Sequence, residues 1–164
     1  MTTLLREETL NQRIQRAAII SSAGGLQAAR QSGLLSRKVT LTLSEALVLG
    51  LIDQGVRTFY AVFGHGSTEV GEVLRIYQEA GVVRVFGVRS EIEASHAAAA
   101  LRWVTGEKAA VVTSIGPGAL QALAASLVPA SDGIGVWYLF GDETTEDEGF
   151  NMQQSPRHQQ AGFL

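Results

Sequence analysis

A carboxylate and a glycine-rich loop follow two apolar runs that are consecutive along the chain. Residues 82–88 (VVRVFGV) lead to Ser90 and Glu91, and residues 109–113 (AAVVT) lead to the loop Ser114-Ile115-Gly116-Pro117-Gly118. Each run precedes a segment of small residues with helical spacing, so each predicts a strand-loop-helix unit. In a parallel sheet such loops share the carboxyl edge, where ligands bind in open α/β folds. The sequence therefore predicts that Glu91 and the glycine loop are neighbours.

Glu91 has no capping role of its own in this pattern. Ser90 and Glu93 have the spacing of a capping box, which accounts for the second glutamate but not for the first. One interpretation is that Glu91 interacts with the positive end of the helix dipole, which contributes about 0.3 to 1 kcal/mol. The other is that a carboxylate in a dry, glycine-walled cleft accepts a hydrogen bond from a ring nitrogen of a ligand. The residues alone leave both interpretations open.

A third loop is predicted at the same edge of the sheet. Residues 57–63 (RTFYAVF) predict the first strand, which ends in Gly64-His65-Gly66-Ser67 before another helix. Gly64-x-Gly66 could begin a nucleotide-binding fingerprint, but Glu69 occupies the third glycine position and its charge would oppose a pyrophosphate. A non-catalytic nucleotide-binding α/β module is therefore an alternative function rather than the first choice.

The spacing of apolar residues predicts four strands that alternate with helices. The fourth strand, residues 135–140 (GVWYLF), is apolar throughout, which is typical of a strand covered on both faces. The fold class is α/β, a doubly wound parallel sheet with helices on both faces. The helix ahead of the first strand has a capping box at Thr42 and Glu45 and a terminating glycine at Gly55.

The N-terminal residues predict a helical arm that is separate from the sheet domain. The arm spans residues 1–37 and is broken at Gly24-Gly25, and the domain spans residues 38–164. We expect the arm to pack on its own domain or on a partner subunit. Its predicted apolar stripe has the three-to-four spacing of an amphipathic helix and consists of Leu4, Leu5, Leu10, Ile14, Ala17 and Ala18.

Composition limits the classes of function. The chain has 164 residues, of which 46% are hydrophobic and 18% charged, as expected for one domain with a large buried or interface surface. A net charge of -3 provides no basic field for phosphates, so we expect no nucleic-acid partner. The absence of cysteine excludes disulfides and thiolate sites. The charged N-terminus is unlike a signal peptide, so we expect a cytoplasmic protein without a membrane partner.

The ordered motifs resemble a known enzyme family. Three segments together resemble the N-terminal pyrimidine-binding domain of thiamine-diphosphate-dependent enzymes. They are FGHG from Phe63, SEIEASHAA from Ser90 and TSIGPGA from Thr113. The resemblance covers residue 39 to the C-terminus. FGHG and TSIGPG are most similar to trihydroxycyclohexanedione hydrolases of inositol catabolism, and acetolactate synthases share the general layout. The resemblance implies action on a carbon–carbon bond next to a carbonyl, by hydrolysis of a cyclic diketone or by acetolactate-synthase-like ligation of 2-keto acids.

The same resemblance implies roles for six residues. Glu91 matches the glutamate that hydrogen-bonds N1′ of the aminopyrimidine and thereby promotes loss of the proton from C2 of the thiazolium, which makes it the implied catalytic residue. The implied cofactor-binding residues are His65, Gly66, Pro117, Gln121 and Gln153.

Two departures from the family pattern affect what this chain is expected to do alone. Ile92-Glu93 stands where many relatives have Gln-Gly, and no GDG followed by a downstream Asn occurs. In the family that motif belongs to a separate diphosphate-binding domain that holds Mg²⁺. We therefore expect a pyrimidine-binding domain that is incomplete at its C-terminus, has no metal site of its own and is inactive alone. The expected partners are a diphosphate-binding domain or subunit, a second copy in a homo-oligomer, and a small-molecule keto substrate.

Overall fold

A computed structural model of the protein describes residues 3–36 and 38–142. Six helices and four strands occur in this part of the chain, and from α4 onward they alternate. In chain order they are α1 (Thr3–Ser22), α2 (Leu26–Gln31), α3 (Leu43–Asp53), β1 (Thr58–Val62), α4 (Thr68–Glu79), β2 (Arg84–Gly87), α5 (Glu91–Thr105), β3 (Ala109–Thr113), α6 (Pro117–Ser131) and β4 (Trp137–Phe140). None of the helices in the described ranges combines the length and the apolar character that crossing a membrane requires.

The four strands form one parallel sheet in the order β2-β1-β3-β4. Thr58 of β1 pairs with Arg84 of β2 on one side and with Ala109 of β3 on the other, and β3 continues the sheet to β4. The chain therefore moves outward from β1 to β2 and then crosses back to β3, which is the winding of a doubly wound sheet. The predicted α/β fold class is confirmed.

Helices cover both faces of the sheet, as predicted. Alternate side chains of the central strands point to opposite faces, so Phe59 and Ala61 pack against the α1–α4 layer. Tyr60 and Val111 face the α5 and α6 layer instead. The first layer contains large side chains such as Tyr77, whereas the buried helix residues of the second layer are mainly alanines.

The fourth strand is less covered than its composition predicts. Trp137 is 48% exposed, and the remaining residues of β4 are only partly buried. Within the described residues β4 is an edge strand, since it pairs with β3 alone. The prediction of a strand covered on both faces is therefore wrong for this part of the chain, because an apolar composition does not distinguish a central strand from an uncovered edge.

The N-terminal arm is helical and is broken at Gly24-Gly25, but its buried face differs from the predicted apolar stripe. Leu10, Ile14 and Ala18 of that stripe are exposed. Ala17 of the stripe is buried as predicted, whereas the side chains of Leu4 and Leu5 lie outside the part of the chain that the structure describes. The other buried residues of α1 in the described part are Arg13 and Ile20, with Arg16 partly buried. The arginines face the domain because they pair with a buried acid. The rule that charged side chains face solvent therefore predicted the wrong buried face for this helix.

Glu45 of α3 is the anion that both arginines approach. It is fully buried, and its carboxylate accepts hydrogen bonds from Nε of Arg16 at 2.9 Å, from Nη2 of Arg16 at 3.0 Å and from the Tyr77 hydroxyl at 3.0 Å. Nε of Arg13 lies 3.7 Å from the same carboxylate. The predicted cap also forms, because the Glu45 N–H donates to Oγ1 of Thr42 at 3.2 Å. The network packs α1 onto the α3 and α4 layer of the domain.

Candidate functional site

The loops after β1 and β3 meet at the carboxyl edge of the sheet. The Ile115 N–H donates to the carbonyl oxygen of His65 at 3.1 Å, which joins the two loops. The Gly141 N–H donates to the carbonyl oxygen of Thr113 at 3.1 Å, which adds the end of β4. β1 and β3 are adjacent in the sheet although β2 separates them in sequence. This edge is therefore the topological switch point, the usual place for a ligand in such sheets.

The predicted cap at the start of α5 is confirmed. Oγ of Ser90 accepts a hydrogen bond from the Glu93 N–H at 3.2 Å, and the Glu93 carboxylate accepts one from the Arg89 N–H at 3.0 Å. These two bonds satisfy main-chain donors at the helix start. Glu93 is exposed and occupied by this role, which leaves Glu91 free to turn inward.

Glu91 is buried, with 7% of its surface exposed. Its main-chain oxygen accepts a hydrogen bond from Ser95, but no residue within 3–36 or 38–142 donates to its carboxylate. The residue is largely withdrawn from water, and a carboxylate in this setting gains a charge-assisted hydrogen bond from any donor that a ligand brings to it. The Glu91 oxygens are not among the fully buried atoms that lack a partner in the described residues, so they keep contact with solvent at this edge and are accessible to a ligand.

The Glu91 carboxylate lies against the proline-containing turn at the start of α6. A Cβ atom added at Gly118 would lie 2.7 Å from Oε1 of Glu91 and 2.7 Å from Oγ of Ser114. Only a residue without a side chain leaves room for both oxygens at this point. The sequence prediction that the carboxylate and the glycine loop are neighbours is confirmed.

Two helix ends compensate part of the charge on Glu91. Glu91 is the first residue of α5, and Gly118 is the second residue of α6. The unpaired N–H groups of a first helical turn carry partial positive charge, so both ends attract an anion. The dipole interpretation and the ligand interpretation of Glu91 are therefore compatible in the folded chain.

Gly66 permits the close approach of two main chains. It has φ +79°, and a Cβ atom added there would lie 2.5 Å from the Asp142 nitrogen and 2.9 Å from the Gly141 carbonyl carbon. A side chain is excluded both by this contact and by the positive φ. The contact gives Gly66 a packing role that does not depend on a phosphate ligand.

Four of the remaining predicted site residues lie in the described part of the chain, and all four are exposed. His65 and Gly66 are exposed in the loop after β1, Pro117 is the exposed first residue of α6, and Gln121 is exposed one turn later. Gln153 lies outside the described residues, as do residues 143–149 of the acidic loop. The structure thus brings together Glu91 and the loop that contains Pro117.

Two serines near Glu91 were missed by the sequence prediction. Ser114 belongs to the quoted glycine motif, but nothing local indicates that its hydroxyl approaches the same point as the Glu91 carboxylate. Ser95 follows Glu91 by four residues, and this spacing places the two on one helix face. That signal was present in the sequence.

Features elsewhere in the described chain do not compete with this edge. A cavity of about 570 Å³ lies between α1, α2 and α3, and its lining includes Leu26, Arg30 and Leu49 but none of the predicted site residues. In the described ranges, no group of three or more His, Asp or Glu residues is placed to hold a metal ion.

Comparison with known proteins identifies the domain. Residues 41–162 match the family model described as "Thiamine pyrophosphate enzyme, N-terminal TPP binding domain". The chain is 32% identical over 114 residues to the acetolactate synthase isozyme 3 large subunit of Escherichia coli (strain K12), covering 70% of this chain and 19% of that protein. It is 30% identical over 120 residues to the 3D-(3,5/4)-trihydroxycyclohexane-1,2-dione hydrolase of Bacillus licheniformis, covering 66% of this chain and 19% of that protein.

The chain therefore spans about a fifth of the length of these curated relatives. The family match covers β1 to β4 and the loops that meet at Glu91, since all of them lie between residues 41 and 162. By this match the chain belongs to the thiamine pyrophosphate enzyme family, as its N-terminal thiamine-pyrophosphate-binding domain.

Proposed function

We propose that this chain is the pyrimidine-binding part of a thiamine-diphosphate-dependent enzyme that acts on a carbon–carbon bond next to a carbonyl. Thiamine diphosphate is the same compound as thiamine pyrophosphate. The observation that carries the proposal is the Glu91 carboxylate, which is buried at the carboxyl edge of the sheet without a donor among the described residues. Family membership supplies the cofactor class.

The residues around Glu91 fit a flat heterocycle with a protonated ring nitrogen. The carboxylate has an unfilled acceptor position, and a ring N–H would fill it with a charge-assisted hydrogen bond of about 1.5–3 kcal/mol. Gly118 presents no side chain at the point where a Cβ atom would contact Oε1 of Glu91. The glycine therefore preserves the space that the carboxylate and a ligand edge require.

Glu91 is proposed to hold a proton at N1′ of the aminopyrimidine. A carboxylate in that position would promote loss of the C2 proton from the thiazolium, which is the chemistry that the cofactor would supply. When bound, thiamine diphosphate supplies a nucleophilic carbon, which a protein side chain cannot provide. The contribution of this chain is to fix one proton, orient the ring and exclude water.

The other implied residues are proposed as contacts of the same cofactor. His65 and Gly66 belong to the loop after β1, and Pro117 and Gln121 to the start of α6, so all four lie at the edge where Glu91 is found. Gln153 is assigned to this set by the family resemblance alone. We retain the division into an N-terminal arm, 1–37, and the pyrimidine-binding domain, 38–164, as part of the proposal.

The partner is proposed to be a diphosphate-binding domain or subunit that holds Mg²⁺, within a homo-oligomer located in the cytoplasm. The relatives are about five times longer than the matched segment, so most of each relative lies outside this domain. The outer faces of α5 and α6 expose Ile92, Trp103, Leu120 and Leu127. Apolar side chains presented by two neighbouring helices suit a protein interface.

Two reactions are proposed, in order of preference. The first is hydrolysis of a cyclic diketone, favoured by the FGHG and TSIGPG segments and by the similarity to a trihydroxycyclohexane-dione hydrolase. The second is acetolactate-synthase-like ligation of 2-keto acids, favoured by the 32% identity to an acetolactate synthase large subunit. A cyclic 1,2-dione and pyruvate, offered separately to the complete enzyme, distinguish the two.

A nucleotide-binding module is disfavoured, because main-chain packing already accounts for Gly66.

The deciding experiment replaces Glu91→Gln in the complete enzyme that carries this chain, with thiamine diphosphate and Mg²⁺ present. We expect most of the turnover to be lost while the melting temperature is retained, because glutamine cannot hold the ring proton by charge. The matched control is Glu93→Gln, since Glu93 lies in the same helical turn, is exposed, and glutamine also serves in a capping box. Near-normal turnover of the Glu91 variant would contradict the proposal.

A further inference from the structure

One hydroxyl lies in the alanine-rich buried face of α5. The buried residues of this helix are Glu91, Ala94, Ser95, Ala98 and Ala99. Ser95 is fully buried, although its neighbours on the same face need no hydrogen bonds. Burying a hydroxyl costs free energy unless it finds a partner. The partners of Ser95 therefore indicate what the hydroxyl does.

Ser95 connects the turn that carries Glu91 to the neighbouring helix. Its hydroxyl donates to the main-chain oxygen of Glu91 at 2.9 Å, and the carbonyl oxygen of Ala122 in α6 is 3.4 Å from the same Oγ. A hydroxyl has one hydrogen, so the shorter contact is the principal bond. A serine that bonds the carbonyl four residues earlier bends its helix. Ser95 therefore acts on the helical turn from which the Glu91 carboxylate projects.

Tyr138 of β4 supplies a third element at the same point. Its ring packs in the cluster that contains Ala94, Ala98 and Ala122, and its hydroxyl is buried without a hydrogen-bond partner among the described residues. Burial raises the pKa of Tyr138, and the nearby Ser95 hydroxyl opposes part of that rise. The two hydroxyls are thus neighbours outside hydrogen-bond geometry.

We propose that Ser95 is a positioning residue for Glu91. Its hydroxyl fixes the first turn of α5 against the start of α6 and so holds the Glu91 carboxylate at Gly118. The inference rests on the proposed role of Glu91 toward the cofactor. The alternative is that Ser95 contributes to helix packing alone, with no effect on the carboxylate.

The test follows proton loss from the bound cofactor rather than turnover. The complete enzyme that carries this chain is loaded with thiamine diphosphate and Mg²⁺ and transferred to D₂O. The exchange of the thiazolium C2 proton is then measured by NMR after acid quenching, with thermal unfolding in parallel. For Ser95→Ala we expect exchange to slow by roughly threefold to tenfold, the range of one net hydrogen bond. Tyr138→Phe should leave exchange at the wild-type rate, because the Tyr138 hydroxyl has no hydrogen-bond partner among the described residues.

Ser126→Ala is the matched control. Ser126 of α6 donates to the carbonyl oxygen of Leu123, three residues earlier, at 2.7 Å, so its removal also deletes a serine-to-carbonyl bond within a helix, eight residues after Gly118. We expect wild-type exchange from this control. Equal exchange rates for the Ser95 and Ser126 variants would overturn the positioning role, provided that Glu91→Gln slows exchange. Wild-type exchange in Glu91→Gln would instead show that the proposed function itself has failed.

Discussion

Gly118→Ala separates the stability of this domain from the placement of its carboxylate. Gly118 is the second residue of α6, and its φ is not positive, so alanine suits its main-chain conformation. Its new Cβ would lie 2.7 Å from Oε1 of Glu91 and 2.7 Å from Oγ of Ser114. Both distances are shorter than a van der Waals contact, so the two oxygens would have to move. Both atoms belong to the ends of side chains that rotate away more easily than main chain moves. The substitution should therefore displace the carboxylate without unfolding α6.

The two effects of Gly118→Ala have opposite signs. Alanine in place of glycine stabilises a helix by up to about 1 kcal/mol, through lower chain entropy in the unfolded state and better helix propensity. Displacement of Glu91 removes the charge-assisted hydrogen bond proposed for the cofactor, which is worth about 1.5–3 kcal/mol. Such a loss corresponds to roughly a 10- to 150-fold slower rate of C2 proton exchange. We expect an unchanged or slightly higher melting temperature together with that slower rate.

The matched control for Gly118→Ala is Gly50→Ala in α3. Gly50 is also helical, and a Cβ atom added there meets no other atom within 4 Å. It should raise the melting temperature with no change in C2 proton exchange, measured in the complete enzyme with thiamine diphosphate and Mg²⁺. Wild-type exchange in Gly118→Ala would refute the reasoning, because the carboxylate would then not depend on this position. A fall in melting temperature of several degrees would show that the contact cannot relax.

Two further predictions concern the buried network under α1. Glu45→Gln removes the only carboxylate buried between Arg13 and Arg16 in the described chain, so the free energy of unfolding, measured with urea, should fall by about 3–5 kcal/mol. The control Glu72→Gln, at an exposed ion pair, should change the free energy of unfolding little. Burial and the charge of Glu45 raise the pKa of Tyr77 above its ordinary value near 10. The folded state therefore holds the Tyr77 proton more tightly than the unfolded state. Stability should be intact below about pH 10 and should fall above it, a dependence that Tyr77→Phe should reduce in alkaline thermal unfolding.

The half of the fold that carries the site was predictable because its signals are local. Ser90 and Glu93 are three residues apart, and Gly106 ends α5 with φ +75°, so the sequence marks both ends of this helix. The neighbourhood of Glu91 and Gly118 followed from topology, since consecutive units of a parallel sheet share one edge. Local spacing and chain order were therefore sufficient to place the carboxylate beside the glycine loop.

The arm is helical, broken at Gly24-Gly25 and packed on its own domain as predicted, but its buried face was mispredicted because the contacts that set it are distant in sequence. Arg16 and Glu45 are 29 residues apart, and nothing near either residue indicates that the other will neutralise it. A rule that assigns apolar side chains to the buried face therefore selects Leu10 and Ile14, which are exposed. In the structure the arginine-bearing face of α1 lies against the domain, where Glu45 pairs with it. The spacing of apolar residues carries no information about an ion pair between residues so far apart in sequence.

The distribution of side-chain size across the sheet connects the fold to the proposed function. The layer that contains α1 to α4 buries large side chains such as Phe59, Leu74 and Tyr77, whereas the buried face of α5 is mainly alanine. Small side chains let α5 and α6 approach closely enough for Glu91 to contact the Gly118 turn, but they bury less apolar area and contribute less stability. The layer that holds the carboxylate is therefore the weaker of the two, and its apolar outer surface gives a partner the means to stabilise it. Assembly with the proposed diphosphate-binding partner is therefore expected to stabilise the domain through the same two helices that carry the proposed site.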